Sequence, residues 1–109
     1  MADDEMPDHA TVIRVSHIQP LPGKQNDLVA RIMPAVNTMR TVEGCFGVQV
    51  CTIKETPGVI AVVSRWANQA ALDQVESAGT FNDNIISDLV AATPTVEHLM
   101  PFAGGPGPD

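Results

Sequence analysis

The spacing of apolar positions along the chain switches between two residues and three to four residues, which indicates strands alternating with helices. Residues 11–18, TVIRVSHI, are apolar on both faces, as in a strand that is covered on both sides. Residues 24–41 carry one apolar stripe at helical spacing, and Pro34 within them predicts a kink or a broken turn. The other predicted elements are strands at 45–53, 59–66 and 95–102, a turn at 54–58, a helix that begins after Asn68 and is interrupted at Gly79, and a second helical piece at about 81–91.

This order of elements predicts the fold class. Strand, helix, strand, strand, helix, strand is the ferredoxin-like βαββαβ arrangement, an α+β fold in which two helices pack on one face of an antiparallel four-stranded sheet. The other sheet face would also carry apolar groups, either Ile13 and Val15 or Val12 and Ile18, depending on the register. An exposed apolar sheet face favours association. The pattern therefore predicts a homodimer that forms through this sheet face.

The chain of 109 residues suits a single domain, predicted at residues 11–102. Residues 1–10 are acidic and are predicted to form a disordered leader, and the Gly- and Pro-rich residues 103–109 a disordered tail. No apolar run is long enough to span a bilayer, and the leader lacks the features of a secretory signal. A cytoplasmic location is the resulting expectation.

Charge and cysteine content narrow the possible partners. The formal net charge is −7, with 13 acidic against 6 basic residues, and no concentrated basic surface is visible. Nucleic acids and anionic membranes are therefore not expected as partners. Cys45 and Cys51 lie in one predicted strand, about 20 Å apart when extended. A disulfide between them is excluded at that distance, so two reduced thiols are expected.

The single tryptophan, Trp66, stands where the third strand meets the next helix. Two interpretations remain open: a core aromatic that joins the helix to the sheet, or one wall of an apolar pocket against which an aromatic ligand stacks. Ser16 and Ser64 lie at strand positions that would face the same layer as Trp66. Their hydroxyls would bind a phenol, or would form hydrogen bonds with the backbone instead. Asn37 on the first helix is a further candidate for binding substrate, although most such side chains face solvent.

Two histidines raise a separate possibility. His17 on the first strand and His98 on the last strand would be cross-strand neighbours if these strands pair antiparallel. Two imidazoles without further ligands make a poor metal site, so no metal is expected. His17 is a candidate general base, because an ordinary imidazole titrates near neutral pH. The alternative is a histidine in the dimer interface.

Several short sequence segments resemble those of a known protein family, and together they extend over nearly all of residues 11–102. They are Pro22-Gly23-Lys24 after the first strand, Gly44-Cys45 at the start of the second, Trp66 at the end of the third, Ala71-Leu72 in the second helix, and Phe81. In this order the chain resembles the antibiotic biosynthesis monooxygenase family of dimeric α+β barrel proteins. The resemblance implies oxidation of a phenol or quinol by O₂ without flavin, haem or metal.

The same resemblance suggests roles for individual residues. Trp66 and Phe81 would be pocket walls, Ser16 a hydrogen-bond donor, and His17 the base if it faces inward. The chain departs from the family where many members carry a helical histidine, since that position is Val75, and where they carry Ser-Pro-His-Phe, which is Ala78-Gly79-Thr80-Phe81 here. Two hypotheses follow: a cofactor-independent monooxygenase acting on a small aromatic molecule, or a non-catalytic binding or accessory module.

Overall fold

The computed structural model describes residues 10–81 and 83–104, and most of the predicted leader and tail lie outside these ranges. Ala10, the last residue of the predicted leader, is buried. The described chain folds into one antiparallel sheet in the spatial order β2-β3-β1-β4, with its helices on one face, so the predicted ferredoxin-like α+β fold is confirmed. In chain order the elements are β1 (Val12–Ile18), α1 (Gln25–Met39), β2 (Cys45–Ile53), β3 (Thr56–Trp66), α2 (Gln69–Ala78), a 3₁₀ turn (Asp83–Ile86) and β4 (Thr95–Leu99).

The strand register decides which side chains face the helices. Residues directly opposite each other on paired strands project to the same face. On β1, Val12, Ser16 and Ile18 are buried in the helix-covered layer. Ile13 and Val15 project to the other face, where Val15 lies opposite Val63 of β3. The outer apolar group is therefore Ile13 and Val15, the first of the two alternatives left open by the sequence.

Helix α1 runs unbroken from Gln25 to Met39 with Pro34 inside it, so the predicted broken turn is wrong. Pro34 lies on the exposed side of the helix, where the carbonyl that loses its helical donor is open to water. The hydroxyl of Thr38 donates to the Pro34 carbonyl at 3.0 Å. The face toward the sheet is the predicted apolar stripe, and its buried members are Leu28, Ile32, Val36 and Met39.

The ends of α2 follow the predicted capping signals. The Oδ1 atom of Asn68 accepts a hydrogen bond from the backbone N–H of Ala71 at 2.9 Å, which satisfies one of the free donors of the first turn. Gly79 ends the helix in the left-handed conformation, with φ of +70°. Both features confirm the sequence-based boundaries of this helix.

The second predicted helical piece, residues 81–91, is wrong beyond one 3₁₀ turn. Besides a bond within the segment, from the Leu89 N–H to the Ile86 carbonyl at 2.8 Å, its backbone bonds to the segment after β1. The Leu89 carbonyl accepts from the N–H of Leu21 at 2.8 Å, and the N–H of Ala91 donates to the Gln19 carbonyl at 2.8 Å. These long-range bonds bring β4 beside β1 in place of another helical turn.

The hairpin between β2 and β3 is tighter than the sequence suggests. The turn comprises only Lys54 and Glu55, and Thr56 already pairs with Ile53, whereas the sequence predicts a turn over 54–58. A register irregularity between Thr52 and Ile53 accompanies this turn. Strand β3 is consequently three residues longer at its start than predicted.

Candidate ligand-binding cavity

Trp66 lies in the hydrophobic core and is fully buried. Its indole N–H donates to the Oγ atom of Ser64 at 2.8 Å, and Ser64 is itself only 3% exposed. A buried indole needs a partner for this donor, and Ser64 supplies it within the chain. The observed environment is thus that of the core aromatic, the first of the two interpretations of Trp66.

Ser16 shares this layer, as its strand parity predicts, and is 1% exposed. It lies opposite Val62 on β3 and Val96 on β4. Among the residues that the structure describes, its hydroxyl has no hydrogen-bond partner, unlike that of Ser64. A buried hydroxyl without a partner is unfavourable, so Ser16 is a candidate donor to a water molecule or a ligand.

The two histidines project to opposite faces of the sheet. His17 lies opposite Thr95 of β4 on the outer face, whereas His98 lies opposite Arg14 on the helix-covered face. The prediction that the two imidazoles are cross-strand neighbours is therefore wrong, because His98 lies three residues beyond Thr95, the residue opposite His17. The condition for His17 to act as base, an inward orientation, is not met within the protomer.

The remaining two candidate site residues, Phe81 and Asn37, lie in different parts of the fold. Phe81 is half-buried and packs against the core after the end of α2. Asn37 is exposed on α1, where its Oδ1 accepts from the guanidinium of Arg40 at 3.4 Å. The structure therefore brings Ser16, Ser64 and Trp66 into one layer and leaves His17 and Asn37 outside it.

A cavity of about 530 Å³ lies between α1 and β2. This volume falls within the range of small-molecule sites. The helix side is formed by residues spaced four, four, three and four apart, which places them along one face of α1. These residues are Gln25, Val29, Met33, Val36 and Arg40, with Asn26 beside the first.

The sheet side of the cavity is formed mainly by alternate residues of β2, namely Val48, Val50 and Thr52, together with Cys51 of β2 and Ile60 of β3. Alternate strand residues point the same way, and the register places them on the helix-covered face. The middle of the cavity is thus apolar, and its polar residues come from the two ends of α1 and from Thr52 of β2. Trp66 does not line this cavity, so the prediction of Trp66 as its wall is wrong for this site.

Arg40 is the cationic group of the cavity wall. Its positive charge also acts on Cys45 at the start of β2. Burial raises the pKa of the Cys45 thiol, and a backbone hydrogen bond at Gly47 and the charge of Arg40 oppose this rise. Cys45 and Cys51 are both free thiols, in agreement with the sequence.

On the opposite side of α1, Arg31 is fully engaged. Its guanidinium donates to both carboxylate oxygens of Asp88, at 3.0 and 3.3 Å, and to the Ile85 carbonyl at 3.0 Å. The hydrogen bond from Arg31 lowers the pKa of the Asp88 carboxyl below its usual value. This pair fastens the 3₁₀ turn to the helix and takes no part in the cavity.

The sequence contains a feature that indicates this cavity, although the helical periodicity of α1 alone does not identify it. Val29 and Met33 lie beside the core stripe of α1 and make its apolar face wider than the core requires. Both are only half-buried, whereas Leu28 and Ile32 are fully buried. An apolar helix face that is wider than the surface packed against it is the feature that indicates the site.

Among residues 10–81 and 83–104, no group of three or more His, Cys, Asp or Glu side chains is arranged to hold a metal ion. In the same part of the chain, no helix is both long and apolar enough to cross a membrane.

The fold is that of a ferredoxin-like α+β protein, with a cavity between its first helix and its second strand. The model of the family described as antibiotic biosynthesis monooxygenase matches residues 11–83, which is more than half of the chain. The chain therefore belongs to the antibiotic biosynthesis monooxygenase family, as the sequence resemblance indicates. No curated protein matches the sequence significantly.

Solved structures show the same fold at low sequence identity. The protein Rv0793 of Mycobacterium tuberculosis is 19% identical with a TM-score of 0.74, and the match covers 85% of this chain and 96% of that one. A conserved protein of Methanosarcina mazei is 17% identical with a TM-score of 0.76, covering 86% and 95%. A Caulobacter crescentus protein provisionally described as an antibiotic biosynthesis monooxygenase is 18% identical with a TM-score of 0.76, covering 88% and 93%.

Proposed function

We propose that this protein is a cofactor-independent monooxygenase that binds a small aromatic phenol or quinol in the cavity between α1 and β2 and oxidises it with O₂. The observation that carries the proposal is the apolar middle of the cavity, with Val29, Met33 and Val50 among its walls. Flat apolar molecules are held by such surfaces, and a few polar groups orient them. Membership of the family supports the oxidation.

The proposed reaction balances without an added reductant. A phenol loses its hydroxyl proton, and the phenolate passes one electron to O₂ to give an aryloxyl radical and superoxide. The two radicals join at a ring carbon that bears hydrogen. The resulting peroxide loses water as its O–O bond breaks and that ring hydrogen leaves as a proton. One oxygen atom ends in the quinone and the other in water, so all four electrons come from the substrate.

The contribution of the protein is to exclude water and orient the substrate. Ser16, the predicted donor, is not assigned a contact with the substrate, because it does not line this cavity. His17 is not assigned as the base, because it lies on the opposite sheet face. Trp66 and Ser64 support the site indirectly by forming the core beside it.

Filling the cavity tests this assignment. In Val29→Trp, an indole would occupy the apolar middle, and we expect the rate of O₂ uptake with the best substrate of a phenol and quinol panel to fall at least about tenfold, because the ring can no longer bind. Oxygen-electrode measurements at saturating wild-type substrate concentration would show the change.

Ala30→Trp is the matched control, since Ala30 is the next residue and is exposed on the other side of α1. It should retain the wild-type rate. Equal rates in both variants would move the reaction away from this cavity. A wild-type protein that consumes no O₂ above background with any panel member would remove the oxygenase proposal.

One observation favours a second function, a non-catalytic binding module. Among the residues that line the cavity there is no histidine, aspartate or glutamate, the usual general bases. A binding module requires no base. Saturable binding of panel members without O₂ uptake would identify this function in place of oxidation.

We also propose that two copies associate through the outer sheet face. This face carries a continuous apolar group made of Ile13, Val15 and Val63, with Leu99 of β4 next to Ile13 and 46% exposed. Apolar surface of this kind is stabilised by burial against a second copy. His17 lies on the same face and would belong to the interface.

Sedimentation measures this association. We expect the wild-type protein to sediment as a dimer at micromolar concentration, and Val15→Glu to sediment as a monomer, because a carboxylate would be buried in the interface without a partner. Ser77→Glu introduces the same charge on the exposed side of α2 and should stay dimeric. A wild-type monomer at this concentration would contradict the proposal.

A further inference from the structure

The two ends of the cavity differ in charge. Helix α1 begins at Gln25 and is followed at its carboxyl end by Arg40, which corresponds to about 22 Å of helix. The first end offers the neutral amides of Gln25 and Asn26, and the second end offers a guanidinium. A ligand lying along this groove would meet hydrogen-bonding groups at one end and a positive charge at the other.

The direction of strand β2, on the other wall of the cavity, agrees with this difference in charge between the two ends. It runs antiparallel to α1, since Arg40 acts electrostatically on Cys45 at the beginning of β2. Its later residue, Thr52, also lines the cavity and lies toward the Gln25 end. The neutral end thus contains two amides and a hydroxyl, all able to donate and accept hydrogen bonds.

Among the described residues, Arg40 has no acidic partner. Its guanidinium makes a long hydrogen bond of 3.4 Å to the neutral Asn37 side chain. Three other cations are paired with carboxylates, across elements or along the helix. These pairs are Arg14–Glu76, Arg31–Asp88 and Lys24–Asp27.

The overall charge makes this arrangement selective. At a formal net charge of −7, the protein repels anions in general. A single guanidinium at one end of an apolar groove therefore attracts an anion only if no carboxylates surround that guanidinium. Guanidinium groups bind carboxylates through two parallel hydrogen bonds, which fixes the orientation of the ligand as well as its charge.

We infer that the cavity selects an elongated aromatic ligand that carries a carboxylate, with the carboxylate on Arg40 and a neutral hydrogen-bonding group at the end formed by Gln25, Asn26 and Thr52. This inference rests on the proposed cavity and specifies the substrate class for the proposed oxidation. Arg40 is a specificity-determining residue in this arrangement. The aromatic middle of the ligand lies between Met33 of α1 and Val50 of β2.

Binding of two matched fluorescent probes tests the inference without any oxidation. The probes are 1-anilinonaphthalene-8-sulfonate and its neutral counterpart N-phenyl-1-naphthylamine, which differ by the anionic group. We expect the wild-type protein to bind the sulfonate about tenfold more tightly than the neutral probe. Arg40→Met should remove that preference, weakening the sulfonate about tenfold and leaving the neutral probe unchanged, as expected for loss of a charge-assisted hydrogen bond.

Two controls separate recognition at Arg40 from general attraction. Lys54→Met removes the same charge at the tip of the β2–β3 hairpin, toward the other end of β2, and should leave both affinities unchanged. Arg40→Lys, which keeps a positive charge without the planar fork, should retain part of the preference. In competition, 2-naphthoate should displace the bound sulfonate at concentrations where neutral 2-naphthol does not.

Several results would overturn the inference. They are equal affinities of the wild type for the two probes, an unchanged sulfonate affinity in Arg40→Met, an equal loss in Lys54→Met, or no saturable binding of either probe. The Arg40 dependence of binding and the absence of O₂ uptake are separate readouts, so an inactive protein that still prefers the anionic probe would contradict only the oxidation.

Discussion

Trp66→Ala is expected to lower the free energy of unfolding by about 3–5 kcal/mol, the range observed when a large buried aromatic side chain is removed. Trp66 is fully buried in the core, so its removal leaves an apolar cavity and also leaves the Ser64 hydroxyl without its partner. A domain of this size has only about 5–15 kcal/mol of stability in total. Urea denaturation followed by circular dichroism measures the loss.

Two further variants separate the volume of the indole from its hydrogen bond. Trp66→Phe keeps much of the apolar volume and removes the N–H donor, so it should be milder than Trp66→Ala. Ser64→Ala leaves the buried indole N–H unpaired and should cost about 1–3 kcal/mol. If Trp66→Ala instead kept wild-type stability and lost only ligand binding, Trp66 would be a pocket wall rather than a core residue.

Gly44→Ala is expected to lower the free energy of unfolding by about 2–4 kcal/mol, for two reasons that add. Gly44 has φ of +90°, a conformation that alanine adopts only with strain. A Cβ atom at this position would lie 2.7 Å from the Cβ of Ala71 in α2, well inside van der Waals contact. The variant must either push α2 away from the start of β2 or distort the backbone.

Other glycines provide matched controls for each reason. Gly23 has φ of +78° and open space around it, so Gly23→Ala measures the backbone strain alone. Gly58 has neither a positive φ nor a neighbour within 4 Å, so Gly58→Ala should be close to neutral. Adding Ala71→Gly should restore part of the stability of Gly44→Ala. An absence of rescue would show that the close approach to Ala71 contributes nothing.

The sequence was most informative where local signals and tertiary packing agree. Asn68 and Gly79 bound α2 in the structure as predicted, because capping and left-handed conformations depend on the residues themselves. The strand parity of Ser16 and Ser64 is also correct, because alternation is a local property of extended chain. The fold class followed from the order of such elements.

The wrong predictions concern long-range partners. Residues 87–91 have helical periodicity, but their backbone bonds to Gln19 and Leu21, which lie far away in the sequence. His17 and His98 are separated by the strand register, which places Thr95 opposite His17 and which no local pattern determines. The environment of Trp66 was equally open, because a core indole and a pocket indole have the same sequence signature.

The position of β2 at the edge of the sheet has a consequence for the way a ligand enters. Within the protomer, β2 is bonded to β3 on one side, and no strand of residues 10–81 or 83–104 pairs with its other side. The wall of the cavity that β2 forms therefore ends in backbone N–H and carbonyl groups that the described strands leave unpaired. We expect a ligand to enter past this edge, because movement there leaves the hydrogen bonds between the paired strands intact.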